Sequence, residues 1–372
     1  MRQLRQQYLG GVRSMVVKLG TQLLSDASKK LDLPYIATVA NQVVELRRRG
    51  IIVSIVSSGA IGAGLRELNM PKRPSDMATL QAVAAVGQRR LMDAWAAAFA
   101  EHSLPVAQIL ITRDDIDRRG RFLNLRNTLH AAHKLSAIPI INENDTVSTD
   151  ELARISFGDN DILAALVTQA LHADLLVLLT VVDGLLDDAQ QPVRLVRDLA
   201  QAQQLVRKEK SALGKGGMNS KLEAARLVTG SGEALVVADG RAMRVLPRLL
   251  EGEELGTLFM PQPRRRLGRS RWISSARASG AIVIDQGAVA ALVQKNRSLL
   301  PAGVVGVEGS FDKGDLVEIK GPDGRVVARG LCNYDAQSVA RISGKKTSQV
   351  RQELGEAAYD EVVHRDNLVL AS

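Results

Sequence analysis

Four short stretches carry residues whose types and spacing suit chemistry on anions. Val16-Val-Lys18-Leu-Gly20-Thr21 puts a lysine on an otherwise apolar run. Burying that ammonium without a partner is costly, and Gly20 lets the backbone approach a phosphate closely. Ser57-Ser-Gly-Ala-Ile-Gly-Ala-Gly64 follows a second apolar run. Small residues at a helix start expose backbone N–H groups, a natural anion site. Asn142-Glu-Asn-Asp145, followed by Gly158-Asp-Asn-Asp161, gathers many donors and acceptors. They suit the ammonium and carboxylate of an amino acid, and they can orient a metal or a lysine. Gly214-Lys-Gly-Gly-Met-Asn-Ser-Lys221 opens a helix with glycines, which suits a polyphosphate. Lys221, one turn in, can aim its ammonium at a transferring group.

Each stretch also has a plainer reading. A strand-end lysine can reach solvent, small residues make tight turns, and Asn and Asp are ordinary turn and N-cap residues. Glycine-rich loops are often only flexible. What favours chemistry is that every cluster falls at a strand end or turn. In open α/β sheets, ligands sit beyond the carboxyl ends of the strands.

Other chemistries lack their residues. There is no G-x-x-x-x-G-K-[ST] and no G-x-G-x-x-G. Ser57 and Ser58 do not sit in G-x-S-x-G. The five histidines form no metal-ligand motif, and His130 and His133 read as a solvated helix face. No protein metal site is expected. One cysteine, Cys332, excludes an intramolecular disulfide framework and any Cys-rich metal site.

The elements that must position these clusters alternate. Strands are expected at Ser14–Leu19, Ile51–Ser57, Pro105–Leu110, Ile138–Ile141, Leu175–Val182 and Ala234–Val237. Helices are expected at Pro34–Arg49, Ser75–Glu101, Phe122–Leu135, Asp159–Leu171 and Asn219–Thr229. Alternation of this kind predicts an α/β fold, a mostly parallel sheet with helices on both faces. A Pro- and Arg-rich break begins at Pro261. Beyond it, short strands at Ala281–Ile284, Val304–Glu308, Leu316–Lys320 and Val326–Leu331, with two short helices, predict a small, mainly β, barrel-like domain. The expected division is 1–260, a linker at 261–272, and 273–372.

At 372 residues, with 45% hydrophobic and 24% charged, the chain can bury a sizeable core. Aromatics are only 3%, so aliphatic residues must fill that core. No apolar run approaches the roughly 18 residues of a membrane helix. Lys18 interrupts the first apolar run, which leaves it too short for a secretion signal. A cytoplasmic protein is expected. The net charge of +9 raises the question of nucleic acid. In 261–372, however, the excess is Arg264, Arg265, Arg266, Arg269 and Arg271, and the remainder balances. The charge distribution therefore argues against RNA as a partner.

The ordered set matches a family. Val16-Val-Lys-Leu-Gly-Thr, Ser57-Ser-Gly-Ala-Ile-Gly-Ala-Gly, Asn142-Glu-Asn-Asp-Thr-Val, Phe157-Gly-Asp-Asn-Asp and Gly216-Gly-Met-Asn-Ser-Lys221 resemble the glutamate 5-kinases, of the amino acid kinase superfamily. The tail resembles a PUA domain. The resemblance implies a three-layer αβα sandwich followed by a PUA-like barrel. It implies ATP-dependent phosphorylation of the L-glutamate side-chain carboxylate to L-glutamyl 5-phosphate, the first step of proline biosynthesis. Mg²⁺ would be required, and proline would inhibit.

Carried over by position, Lys18, Lys221 and Asp161 are the catalytic set. Ser58, Asp145 and Asn160 bind glutamate. Lys18, Thr180, Val181, Lys215, Gly216, Gly217, Met218, Asn219, Ser220 and Lys221 line the nucleotide site. The family usually has Thr-Asp where this chain has Thr180-Val181, and Gly-Leu-Tyr where it has Gly184-Leu-Leu186. Lys215 replaces its usual Ser or Thr. The resemblance also implies a homodimer or homotetramer and transfer of the labile product to glutamyl phosphate reductase. The alternatives are another superfamily kinase with a different acceptor, and RNA binding by the tail.

Overall fold

A computed structural model describes residues 1–147, 160–187, 189–200, 202–203, 217–262, 278–355 and 358–371. The chain divides into two compact units, 1–117 with 125–265, and 118–124 with 266–372.

The first unit begins with α1 (Arg2–Leu9), β1 (Ser14–Leu19), α2 (Leu33–Arg48), β2 (Ile52–Ser57), α3 (Ala60–Glu67) and α4 (Met77–Ala100). Next come β3 (Val106–Ile111), α5 (Arg113–Asp117), α6 (Arg119–Lys134, of which this unit holds the part from residue 125), β4 (Ile138–Glu143) and α7 (Asn160–Leu171). It ends with β5 (Leu175–Thr180), β6 (Leu195–Val196), α8 (Gly217–Gly230), β7 (Ala234–Asp239), α9 (Val245–Leu250) and β8 (Thr257–Phe259). The strands form one sheet in the order β3-β4-β2-β1-β5-β7-β8-β6. Every described pairing in it is parallel except β7 with β8.

Strand alternation sorts the core into two layers. On β1, Met15, Val17 and Leu19 pack with Ile36, Val43, Leu91, Trp95, Leu246 and Leu249, so α2, α4 and α9 cover one face. Val16 points the other way and packs with Leu129, Leu163, Val167, Ala225 and Val228 of α6, α7 and α8. This is the expected three-layer α/β/α sandwich. No described helix is long and apolar enough to cross a membrane.

The second unit holds β9 (Gly280–Ile284), α10 (Gln286–Val293), β10 (Val304–Gly309), β11 (Leu316–Lys320), β12 (Val326–Leu331), α11 (Ala336–Ile342), α12 (Thr347–Leu354) and β13 (Leu368–Leu370). Its strands pair in the order β10-β9-β11-β12-β13, with β9 and β11 parallel and the other neighbours antiparallel. Ile282, Ile284, Val317, Ile319, Val339 and Ile342 make its core. Cys332 is buried there, and burial pushes its thiol pKa up to about 12, so it is an inert packing residue. Most of the linker expected at 261–272 lies outside the described residues.

Several expectations change in detail. The fifth strand ends at Thr180, which leaves Val181 and Val182 exposed. The turn after β2 carries a full helix, α3. His133 is not on a solvated face: its Nε2 lies 2.9 Å from Ser54 Oγ of β2. Burial, helped by the charges of His130 and Arg47, lowers its pKa to about 4, so the ring is neutral at pH 7.

Candidate active site

Parallel register brings the clusters to one edge of the sheet. Lys18 of β1 is aligned with Val56 of β2 and Leu178 of β5, and Val56 with Ile141 of β4. Ser58, Asn142 and Thr180 therefore come one or two residues beyond the same level, at the carboxyl ends of neighbouring strands. This is where an open parallel sheet leaves a crevice for ligands.

Lys18 has the parity of Val16, so its side chain leaves the sheet on the α7 and α8 face. There it meets Asp161, the second residue of α7. Lys18 Nζ lies 2.6 Å from Asp161 Oδ1, and Lys221 Nζ of α8 lies 2.9 Å from Oδ2. Ser220 Oγ also donates to Oδ2, at 3.2 Å. Asp161 is fully buried, and Lys18 and Lys221 are only 5% and 9% exposed. The solvent-reaching lysine of the plainer reading is thus excluded.

Burial alone would raise the Asp161 pKa. The Lys18 and Lys221 ammonium groups outweigh that effect and hold it below the ordinary carboxylate range. The three groups together carry one net positive charge. A Cβ on Gly20 would come 3.9 Å from Lys18 Nζ, so the glycine keeps the space beside that ammonium clear. That charge suits an anion.

A second set of polar groups lies at the ends of β2 and β4. Asn160 Nδ2 donates to Ser58 Oγ at 2.8 Å and to Asn142 Oδ1 at 3.0 Å. Asn142 Nδ2 donates in turn to Gln88 Oε1 of α4 at 2.8 Å. The adjacent Ser57 hydroxyl accepts from Trp95 Nε1 at 3.0 Å. Asn160 and Asp161 are consecutive, so the opening of α7 links this amide chain to the lysine pair. Asp145 lies two residues past β4 and is half-buried.

Of the residues expected to line a nucleotide site, Thr180 ends β5 and Val181 follows it, 43% exposed. Met218, Asn219 and Ser220 lie in the first turn of α8, where Met218 packs against the apolar core beneath. Gly217 opens that helix. Lys215 and Gly216 lie outside the described residues.

The glycines after Ser58 do more than open a turn. Gly59 has φ +105°, a conformation that favours glycine. A Cβ on Gly64 would come 1.9 Å from Val83 O, and one on Gly87 would come 1.8 Å from Ala60 O. So α3 and α4 meet backbone to backbone, and Gly64 serves packing rather than anion contact.

Gln88 and Trp95 are the site-supporting residues that the sequence analysis passed over. The available signal was a glutamine in the apolar stripe Leu80, Val83, Ala84, Leu91, with a tryptophan seven residues further on the same face. Asn142 stood inside a noted cluster without a role of its own.

Among the described residues, no three His, Cys, Asp or Glu side chains gather to hold a metal. Asp161 is engaged by two ammonium groups. The described donor set therefore makes no protein cage for Mg²⁺, and an ion held through nucleotide phosphates is the form that suits such a site.

Comparison with known proteins gives the family. Residues 13–239 match the amino acid kinase family, and residues 280–354 match the PUA domain. A glutamate 5-kinase of Pseudomonas putida is 46% identical over 368 residues, covering 97% of this chain and 98% of the relative. That of Pseudomonas syringae pv. tomato is 45% identical with the same coverage. Among solved structures, N-acetylglutamate synthase from Neisseria gonorrhoeae is similar with TM-score 0.50 at 16% identity, over 70% of this chain and 62% of that one, a likeness of fold. The chain therefore belongs to the amino acid kinase family, in its glutamate 5-kinase branch with a C-terminal PUA domain.

Proposed function

We propose that the chain transfers the γ-phosphoryl group of ATP to the side-chain carboxylate of L-glutamate. The product is L-glutamyl 5-phosphate, the first step of proline biosynthesis. The observation that carries this reading is the bridge from Lys18 through buried Asp161 to Lys221, set beside the Ser58–Asn160–Asn142 chain. One group suits a phosphoryl anion and the other an amino acid.

The chemistry asks little covalent work of the protein. The acceptor carboxylate has a pKa near about 4.3, so it is ionised at pH 7 and needs no general base. One of its oxygens bonds to the γ-phosphorus as the bond from that phosphorus to the β–γ bridging oxygen breaks. ADP leaves with the electron pair, and no proton moves. The obstacle is repulsion between two anions. Lys18 and Lys221 lower it, and Asp161 keeps both ammonium groups aimed at one place. Holding the reactants together can supply about 7–11 kcal/mol of the barrier reduction. Mg²⁺ arriving with ATP would neutralise further phosphate charge.

Ser58, Asp145 and Asn160 bind glutamate in this reading. Thr180, Val181 and the segment from Lys215 to Lys221 bind the nucleotide, with apolar contact alone from the Val181 side chain. Residues 1–260 form the kinase domain, 261–272 the linker and 273–372 the PUA-like domain. The protein works in the cytoplasm as a homodimer or homotetramer. Proline inhibits it at the glutamate site, and glutamyl phosphate reductase takes up the labile product.

The acceptor is the test. Mg·ATP is offered with glutamate, aspartate, N-acetylglutamate or no acceptor, and acyl phosphate is trapped with hydroxylamine. The reading requires a hydroxamate from glutamate that proline suppresses. A hydroxamate from another acceptor instead would assign the site to a different kinase of the family.

A further inference from the structure

We propose that Gln88 is a positioning residue for the amino-acid acceptor: its side-chain oxygen fixes which way Asn142 and Asn160 present their amides. The proposal rests on the glutamate-kinase reading and deepens it.

Gln88 is 7% exposed, on the buried face of α4. Its Oε1 accepts from Asn142 Nδ2 at 2.8 Å. With Nδ2 so engaged, Asn142 turns Oδ1 to Asn160, whose Nδ2 donates to it at 3.0 Å. Asn160 Nδ2 has two hydrogens, and Ser58 Oγ takes the second at 2.8 Å. The sense of the whole chain follows. Asn160 keeps its carbonyl oxygen for a donor such as a substrate ammonium. Ser58 Oγ accepts within the chain, so its own hydrogen is available to a substrate carboxylate.

Reversing Asn142 would set its oxygen against Gln88 Oε1 and its NH₂ against that of Asn160. An amide has no symmetric alternative, so the chain must run one way or reverse as a unit. The anchored end decides which. Gln88 is that end: its backbone sits in a helix packed tightly on α3 through Gly64 and Gly87, and its Oε1 rather than Nε2 is turned to Asn142.

The other half of the Gln88 amide supports this role. Its Nε2 is buried and has no hydrogen-bond partner among the described residues. A buried orphan donor costs free energy, and buried groups of this kind call for a reason. A leucine or methionine would fill the same space without that cost. What glutamine adds is the acceptor for Asn142.

The experiment compares wild type, Gln88→Met, Asn142→Leu and the double variant by hydroxamate kinetics with glutamate and ATP varied separately. Thermal melting monitors folding. Gln88→Met should raise the glutamate KM about 3–10-fold, the worth of one hydrogen bond, and leave the ATP KM within about twofold. In the Asn142→Leu background, Gln88→Met should add almost nothing, because the residue acts through Asn142.

Gln88→Glu should return the glutamate KM towards wild type. Burial pushes a carboxyl towards its protonated form, and either form keeps an acceptor oxygen. If Gln88→Met fails to fold, Gln88→Asn, which withdraws the amide by one methylene, carries the same comparison.

An unchanged glutamate KM, equal rises in both KM values, or full additivity with Asn142→Leu would overturn the role of Gln88. A folded wild type that makes no glutamate hydroxamate would overturn the underlying function instead.

Discussion

Lys18 at the end of β1 lies 2.6 Å from Asp161 in the first turn of α7. The contact joins the central strand to the helix that also supplies Asn160, so one helix start carries both the carboxylate of the lysine pair and the amide bonded to Ser58 and Asn142. Removing the carboxylate would leave two buried ammonium groups facing each other. Asp161→Asn should therefore lower stability by about 3–5 kcal/mol, the usual effect of breaking a buried pair. ATP should restore part of that loss, because its phosphates supply the missing negative charge. Melting curves with and without nucleotide check both effects.

The same carboxylate shapes the acid limb of stability. Its folded pKa lies below its unfolded one, so the folded state holds that proton less tightly. The stabilisation is complete above the unfolded value, near about 3.9, and is lost as pH falls through the folded value. Acid titration of wild type should show this extra loss below about pH 4. Asp161→Asn, which has nothing to protonate there, should not.

In the proposed function Asp145 binds glutamate rather than ATP. Asp145→Ala should raise the glutamate KM about tenfold or more, as expected for losing a hydrogen bond to a charged group, with a smaller change in the ATP KM. Steady-state kinetics with each substrate varied decide it. An unchanged glutamate KM would remove Asp145 from the acceptor site.

Gly87 holds α4 against α3, which follows Ser58. The Cβ of Gly87→Ala would press on Ala60 O, a backbone atom that cannot swing aside. The substitution should cost about 3 kcal/mol or more, at the upper end of overpacking effects. It should also weaken glutamate binding more than ATP binding, since the floor under Ser58 moves. Denaturant unfolding and the two KM values provide the check.

Much of this was legible in the sequence for a physical reason. Buried parallel strands write themselves as aliphatic runs, and polar clusters at their carboxyl ends stand out against them. Lys18, Lys221 and the clusters that hold Ser58, Asn160 and Asp161 stood out that way, while those last three were singled out by the family resemblance; the structure brings all five to one sheet edge. Short elements with little periodicity were missed: α1, α5, α9, α12, β6, β8 and β13. So was α3, whose glycine-rich sequence read as a turn.

Gln88 and Trp95 went unnoticed because their partners, Asn142 and Ser57, are far away in sequence. A polar residue on an apolar helix face announces a buried hydrogen bond but not its recipient. His133 failed similarly. Its helix face read as solvated until β2 supplied the Ser54 hydroxyl.

Promotion of phosphoryl transfer to glutamate by two lysines that one buried carboxylate holds is the core of the proposed function. Its most direct test is the rate of glutamate hydroxamate formation by wild type, Lys18→Ala and Lys221→Ala at saturating Mg·ATP. Wild type should form the hydroxamate, and each variant should lose about 10²–10³-fold in kcat or more, as when one donor to developing charge is removed. Variants that turn over like wild type, or a folded, ATP-binding wild type that forms no glutamate hydroxamate, would contradict it.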